Sequence, residues 1–113
     1  MKPYKLMILI YCFFCLFNSN ALATEGCLKG DCYNGHATYQ WSSGNKYTGT
    51  FVNGFRDGEG IFTFINGDKY IGEYKQGKRA GTGIYFFRDG SKYEGEYAND
   101  KRNGFGIFTL PNG

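Results

Sequence analysis

From Tyr47 onward, apolar and polar positions alternate in short runs, and the whole pattern returns every 23 residues. Tyr47, Gly49 and Phe51 alternate with Thr48, Thr50 and Val52. A period of two marks a strand with one buried face. Asn53-Gly54-Phe55-Arg56-Asp57 is read as a turn, Gly58–Ile65 as the return strand, and Asn66-Gly67 as the reversal into the next unit. Asn-Gly and Asp-Gly steps supply the positive φ that tight hairpin turns need. Three copies agree in register. Tyr47, Tyr70 and Tyr93 lie 23 apart, as do Gly49, Gly72 and Gly95, and Gly60, Gly83 and Gly106. Aliphatic Ile61, Ile84 and Ile107 follow the same step. No helical periodicity is present after residue 24. The expected fold is all-β: an elongated antiparallel β-sheet solenoid of tandem 23-residue hairpins.

The repeat divides the chain into units at 47–69, 70–92 and 93–113, the last incomplete. Residues 24–46 read as a degenerate first copy, with Gly26, Gly35, Ala37 and Gly44 in phase but Thr24 and Leu28 where aromatics belong. Terminal repeats are often atypical because they cap the stack. Glycines beside aromatics on one face leave slots that rings from neighbouring strands can fill.

The first 23 residues have a different character. Lys2 and Lys5 precede the apolar run Leu6–Phe17, and Asn18-Ser19-Asn20 and Ala21-Leu22-Ala23 follow. That order is the one of a secretory signal peptide cleaved after Ala23. The apolar run is shorter than the roughly 18–20 residues that span a bilayer. The expected location is therefore periplasmic or secreted, with an uncleaved membrane anchor as the alternative. No Cys in the region has the neighbours of a lipid-attachment box. Cleavage would leave Cys27 and Cys32 as the remaining thiols, and an oxidising compartment favours a disulfide between them. The rival is a metal site with His36, but it supplies three ligands where a structural zinc site wants four. No metal or cofactor is expected.

Composition sharpens this picture. Gly accounts for 18 of 113 residues and aromatics for 19%, which suits tight turns between aromatic strands and argues against disorder. The formal charge is +3, and +1 once Lys2 and Lys5 are set aside. So small a charge gives no general basis for nucleic-acid binding.

The pattern Tyr47-Thr48-Gly49-Thr50-Phe51 through Gly54, Gly58 and Gly60 resembles the MORN (membrane occupation and recognition nexus) repeat. The second copy carries it as Tyr70, Gly72, Tyr74, Gly77, Gly81 and Gly83, and the third as Tyr93, Gly95, Tyr97, Gly104 and Gly106. Two positions depart from it. Asp100 replaces a turn glycine, and Phe51, Tyr74 and Tyr97 stand where Trp is frequent. The resemblance implies an elongated antiparallel sheet with a groove. It also implies non-enzymatic roles: protein scaffolding, homodimerisation, and in some members attachment to phosphoinositide-containing membranes.

Three groups of residues are candidate sites. Arg56, Arg79 and Arg102 fall in the turns, and Lys46, Lys69 and Lys92 beside the opposite turns, so each edge would show cations roughly 10 Å apart. These rows either meet an anionic membrane surface or acidic partner, or keep the strand edges soluble. Tyr47, Phe51, Tyr70, Tyr74, Tyr93 and Tyr97 either line an aromatic groove or form the core of a thin array. Glu73 and Glu96 recur, but no base–nucleophile pair accompanies them or His36, so neither an enzyme nor a small-molecule substrate is expected. Two functions remain: a scaffold for a protein partner or a second copy, and a lipid-headgroup module. The sequence ends at a turn; either an unpaired last strand templates pairing with another chain, or the reading frame is a fragment.

Overall fold

The structure, a computed structural model, describes residues 22–112. The segment read as an export signal, residues 1–23, lies outside the described residues except for Leu22 and Ala23. Eight strands form one open antiparallel sheet in sequence order: β1 (Gly26–Gly30), β2 (Gly35–Gln40), β3 (Lys46–Val52), β4 (Phe55–Thr63), β5 (Lys69–Lys75), β6 (Lys78–Phe86), β7 (Lys92–Ala98) and β8 (Lys101–Thr109). The slab measures 69 × 37 × 19 Å, elongated and thin, as a single layer of tandem hairpins must be.

The hairpin turns are tighter than the sequence reading placed them. The turn is Asn53-Gly54 alone, with φ of 51° and 82°, and Phe55 already pairs with Val52. Two residues with positive φ match the right-handed twist of the flanking strands. Gln76-Gly77 and Asn99-Asp100 do the same in the next copies, so Asp100 tolerates the left-handed conformation at φ 69°. The irregularity read as a long turn is a bulge. Between the Gly49↔Gly60 and Phe51↔Arg56 pairs, β3 spends one residue and β4 spends three. The return strand also ends earlier than expected, at Thr63 rather than Ile65.

Side-chain alternation divides the sheet into two faces. The front carries Tyr47, Tyr70 and Tyr93, each lying across the paired glycines of its own hairpin. Gly49 pairs with Gly60, Gly72 with Gly83, and Gly95 with Gly106. A methyl group on Gly60, Gly83 or Gly106 would overlap the ring of Tyr47, Tyr70 or Tyr93 respectively. The ring stays flat on the backbone because its hydroxyl donates to a carbonyl three residues on: Tyr47 to Thr50 at 3.0 Å, Tyr70 to Glu73 at 2.9 Å, Tyr93 to Glu96 at 3.3 Å. In the first copy no ring occupies this position, and Ala37 stands where the later copies have glycine, 2% exposed.

These tyrosines join a buried edge-to-face chain, Phe51–Tyr47–Tyr74–Tyr70–Tyr97–Tyr93, with centroids 5.1–5.6 Å apart. Each such pair contributes about 0.5–1.5 kcal/mol beyond area burial. Because Tyr47 meets Tyr74 and Tyr70 meets Tyr97, the chain crosses both boundaries between the units at 47–69, 70–92 and 93–113.

Burial pushes the Tyr47 hydroxyl up to about 12 and raises Tyr70 and Tyr74 further. A raised tyrosine stabilises the fold fully below its ordinary value of 10, and that contribution is lost as pH rises through the folded value. Alkaline titration should therefore show tyrosinate absorbance and loss of far-UV dichroism rising together between pH 10 and 12. Ionisation of Tyr47, Tyr70 and Tyr74 in a still-folded chain would contradict their burial. Gly83→Ala should cost roughly 1–3 kcal/mol in chemical denaturation, the range for overpacking. An unchanged midpoint would refute the ring-on-glycine contact.

Candidate functional site

A second aromatic chain runs beside the buried one on the front. It comprises Tyr39, Trp41, Phe62, Phe64, Tyr85, Phe87 and Phe108, with successive centroids 4.6–5.7 Å apart. Apart from Phe62, which is buried, these rings are half-buried or exposed. Trp41, Phe64 and Phe87 come from the loops after β2, β4 and β6. Their signal was present in the sequence, since Trp41, Phe64, Phe87 and Leu110 are 23 apart.

The arginines lie between the two chains. Arg56, Arg79 and Arg102 were read as an outward row of cations in the turns. Each is instead the second residue of a strand, in register with Phe51, Tyr74 and Tyr97 and therefore on the front. The Arg56 guanidinium lies 5.0–5.5 Å from the rings of Trp41, Phe62 and Tyr74. Arg79 lies 5.2–5.8 Å from Tyr70, Tyr85 and Tyr97. Arg102 lies 5.2 Å from Tyr93. Guanidinium is weakly hydrated and planar, so it stacks on rings at a desolvation cost that an ammonium would not tolerate. Each of the first two also reaches into the following repeat. Arg56 donates to the Gly77 carbonyl at 2.6 Å. Arg79 donates to the Asp100 carboxylate at 2.7 Å and to its carbonyl at 2.8 Å. Burial raises the Asp100 carboxyl, but the Arg79 contacts outweigh it and hold it below the usual range.

The six aromatics offered as a groove, Tyr47, Phe51, Tyr70, Tyr74, Tyr93 and Tyr97, are 0–7% exposed. They are the core and not an open groove, because a one-layer sheet has little else to bury. The accessible surface is the outer chain and the arginines. Three hollows follow it along the sheet: about 380 Å³ at Trp41, Arg56 and Phe62, about 120 Å³ between Arg56, Phe64 and Arg79, and about 440 Å³ at Arg79, Tyr85, Phe87, Tyr97 and Arg102. The surface therefore offers flat rings and guanidinium donors side by side, suited to apolar and acidic groups on one partner.

Lys46, Lys69 and Lys92 open β3, β5 and β7 on the opposite, back face. Lys92 pairs with Glu94 at 3.6 Å, and Lys69 lies 5.6 Å from the Phe86 ring. The Cys27 and Cys32 sulfurs are at bonding distance, with Cα atoms 5.9 Å apart, across the β1–β2 end of the sheet. Among the described residues no group of three metal-ligating side chains converges, and His36 stands on β2. Glu73 and Glu96 tie down the bulges. Glu73 accepts from the Thr82 N–H and hydroxyl, both at 2.9 Å, and Glu96 accepts from the Phe105 N–H at 3.3 Å.

The family model of the MORN repeat matches residues 25–46, 47–69, 70–92 and 93–113 in tandem. The chain belongs to the MORN repeat family. Its first unit, degenerate in sequence, is thus a MORN repeat too. Repeats of this family are commonly modules that contact proteins or membranes, and they are generally non-enzymatic scaffolds. A search of curated proteins finds no relative of significant similarity. Among the described residues no helix is long and apolar enough to cross a membrane.

The Thr82 hydrogen bonds hold the Glu73 carboxyl below its ordinary 4.5. A depressed carboxylate contributes stability above the unfolded value and loses it as pH falls through the folded one. Unfolding free energy should thus decline below pH 4.5, and Glu73→Gln should flatten that decline. Superimposable pH profiles would show that the carboxylate does not hold the bulge.

Proposed function

We propose that this MORN array is a non-enzymatic scaffold that holds a protein partner, in the cell envelope or outside the cell, through the outer aromatic chain of its front face. The observation that carries the reading is the alignment of Trp41, Phe64, Tyr85 and Phe87 with the inward-turned arginines along three hollows. Aromatic and arginine side chains dominate the energetics of protein interfaces, because they bury large areas at low entropic cost and offer directional donors. The export part of the proposal rests on the order of basic, apolar and small residues over 1–23.

The membrane reading is the weaker one. It drew on two rows of cations, and the arginine row is folded over rings. Of those two rows, Lys46, Lys69 and Lys92 remain for an anionic surface, and Lys92 already faces Glu94.

Two measurements separate the readings. A photoreactive side chain placed at Phe87 in the exported protein should cross-link to a protein. Adding Phe64→Ala should reduce the yield several-fold, since losing one aromatic anchor often costs 1 kcal/mol or more, roughly fivefold. Co-sedimentation with phosphatidylserine vesicles should be weak at about 0.15 M salt. Strong, salt-sensitive vesicle binding lost in a Lys46→Ala, Lys69→Ala, Lys92→Ala variant would favour the membrane instead.

A further inference from the structure

The back of the sheet carries a pattern that the front-face scaffold leaves unused. In its middle, Thr48, Ile61, Ile71, Ile84, Glu94 and Ile107 stand in direct register across six strands. Ile61 and Ile107 are 41% and 67% exposed. A shallow groove of about 500 Å³ follows Ile71, Ile84 and Ile107 along this row. Two residues to one side lie Lys46, Lys69 and Lys92. Two residues to the other lie Glu59, Glu73, Thr82 and Glu96. Glu59 and Glu73 are paired directly opposite one another, an arrangement that destabilises a sheet. Among the described residues the ion pairs are Arg79–Asp100 and Lys92–Glu94, so Glu59, Glu73 and Glu96 have no cation at ion-pair distance.

We propose that this face joins two copies of the chain back to back, about a two-fold axis running along the isoleucine row. The charge pattern selects that axis. Turning one sheet over about the row exchanges its flanks, so the lysine row of each copy meets the glutamate row of the other. Lys69 then faces the partner copy's Glu73, and Lys92 faces its Glu96, each twice by symmetry. Turning the sheet over about the strand direction would instead set lysine on lysine and glutamate on glutamate. An interface of this kind is self-complementary and closed, so it makes dimers and not filaments. Two sheets packed face to face lie about 10 Å apart and cross at about 30°, which puts the closest contact at the centre of the array, on Ile71 and Ile84. Glu94 would face its own copy, and that cost is reduced by its pairing with Lys92 and by its place away from the crossing. The front faces of both copies stay open, so the dimer would present two partner-binding surfaces pointing apart.

The test is sedimentation equilibrium of the full chain, with circular dichroism as the check on folding. The wild type should be a dimer. Lys69→Glu and Glu73→Lys should each raise the dissociation constant roughly tenfold or more, because each sets like charges against each other twice. An equimolar mixture of these two variants should dimerise again, since every contact in the mixed pair is complementary. Should Glu73→Lys lose its fold, Lys92→Glu mixed with Glu96→Lys makes the same comparison. Ile71→Glu should be monomeric. A monomeric wild type, a dimer indifferent to Lys69→Glu, or a mixture that stays monomeric would each overturn the proposal. So would a dimer dissolved by Phe64→Ala and Phe87→Ala, which would mean that the copies meet through their front faces.

Discussion

The contact on which this molecule depends is a tyrosine ring lying flat over two paired glycines. A single sheet of hairpins has no second layer to bury its apolar face, and folding must still offset a backbone entropy of about 1–2 kcal/mol per residue. Tyr47, Tyr70 and Tyr93 meet that demand within one layer. Each ring covers the backbone of its own hairpin and fixes its hydroxyl on the bulge beyond, and Tyr47 and Tyr70 also meet a ring of the next repeat edge to face. The glycines follow from the rings, because any side chain at Gly60 or Gly83 would occupy the space of the phenol. Ala37 shows the converse: the methyl returns in the one repeat whose tyrosine position is Thr24.

The two-faced character of the array follows from that packing. With the inner aromatic chain buried against backbone, the outer chain of Trp41, Phe64, Tyr85 and Phe87 is raised to half-exposure beside it. The bulge then brings each return-strand arginine back onto the front. Arg56 and Arg79 serve two ends at once, stacking on rings of their neighbourhood and donating to the turn of the following repeat. Repeat arrays gain stability from nearest-neighbour interfaces, and these clasps together with the tyrosine zigzag are those interfaces here. The same arrangement that holds the repeats together creates the surface proposed to hold a partner. The back keeps isoleucines and separated rows of charge, with the Phe86 ring beside Lys69.

A tape of this design has one closed-off region and several open ones. The first repeat, with Cys27 and Cys32 at bonding distance, restrains β1, a short and largely exposed strand that among the described residues pairs with β2 alone. A covalent tie at that point limits fraying where neighbour contacts are fewest.

The sequence by itself determined the class of fold, the 23-residue unit and the residues that recur. Alternation with period two, Asn-Gly steps and glycines in register are local properties, and local backbone sterics suffice to turn them into hairpins. It also marked the MORN pattern, Tyr47–Gly49–Phe51 through Gly58 and Gly60, and the Cys27–Cys32 pairing. What it did not determine was direction. Whether Arg56 points outward from a turn or inward over Trp41 depends on the turn closing after Gly54 and on two extra residues in β4, a difference of register set by pairing with β3. Whether Tyr47 lines a groove or forms the core depends on Tyr74, 27 residues away, which meets it edge to face. Trp41, Phe64 and Phe87 recur as plainly as any strand residue, yet only the packed sheet placed them next to one another. Composition and spacing specify which residues repeat. The strand register, a tertiary property in which one step reverses every face, decides which of them water and partners can reach.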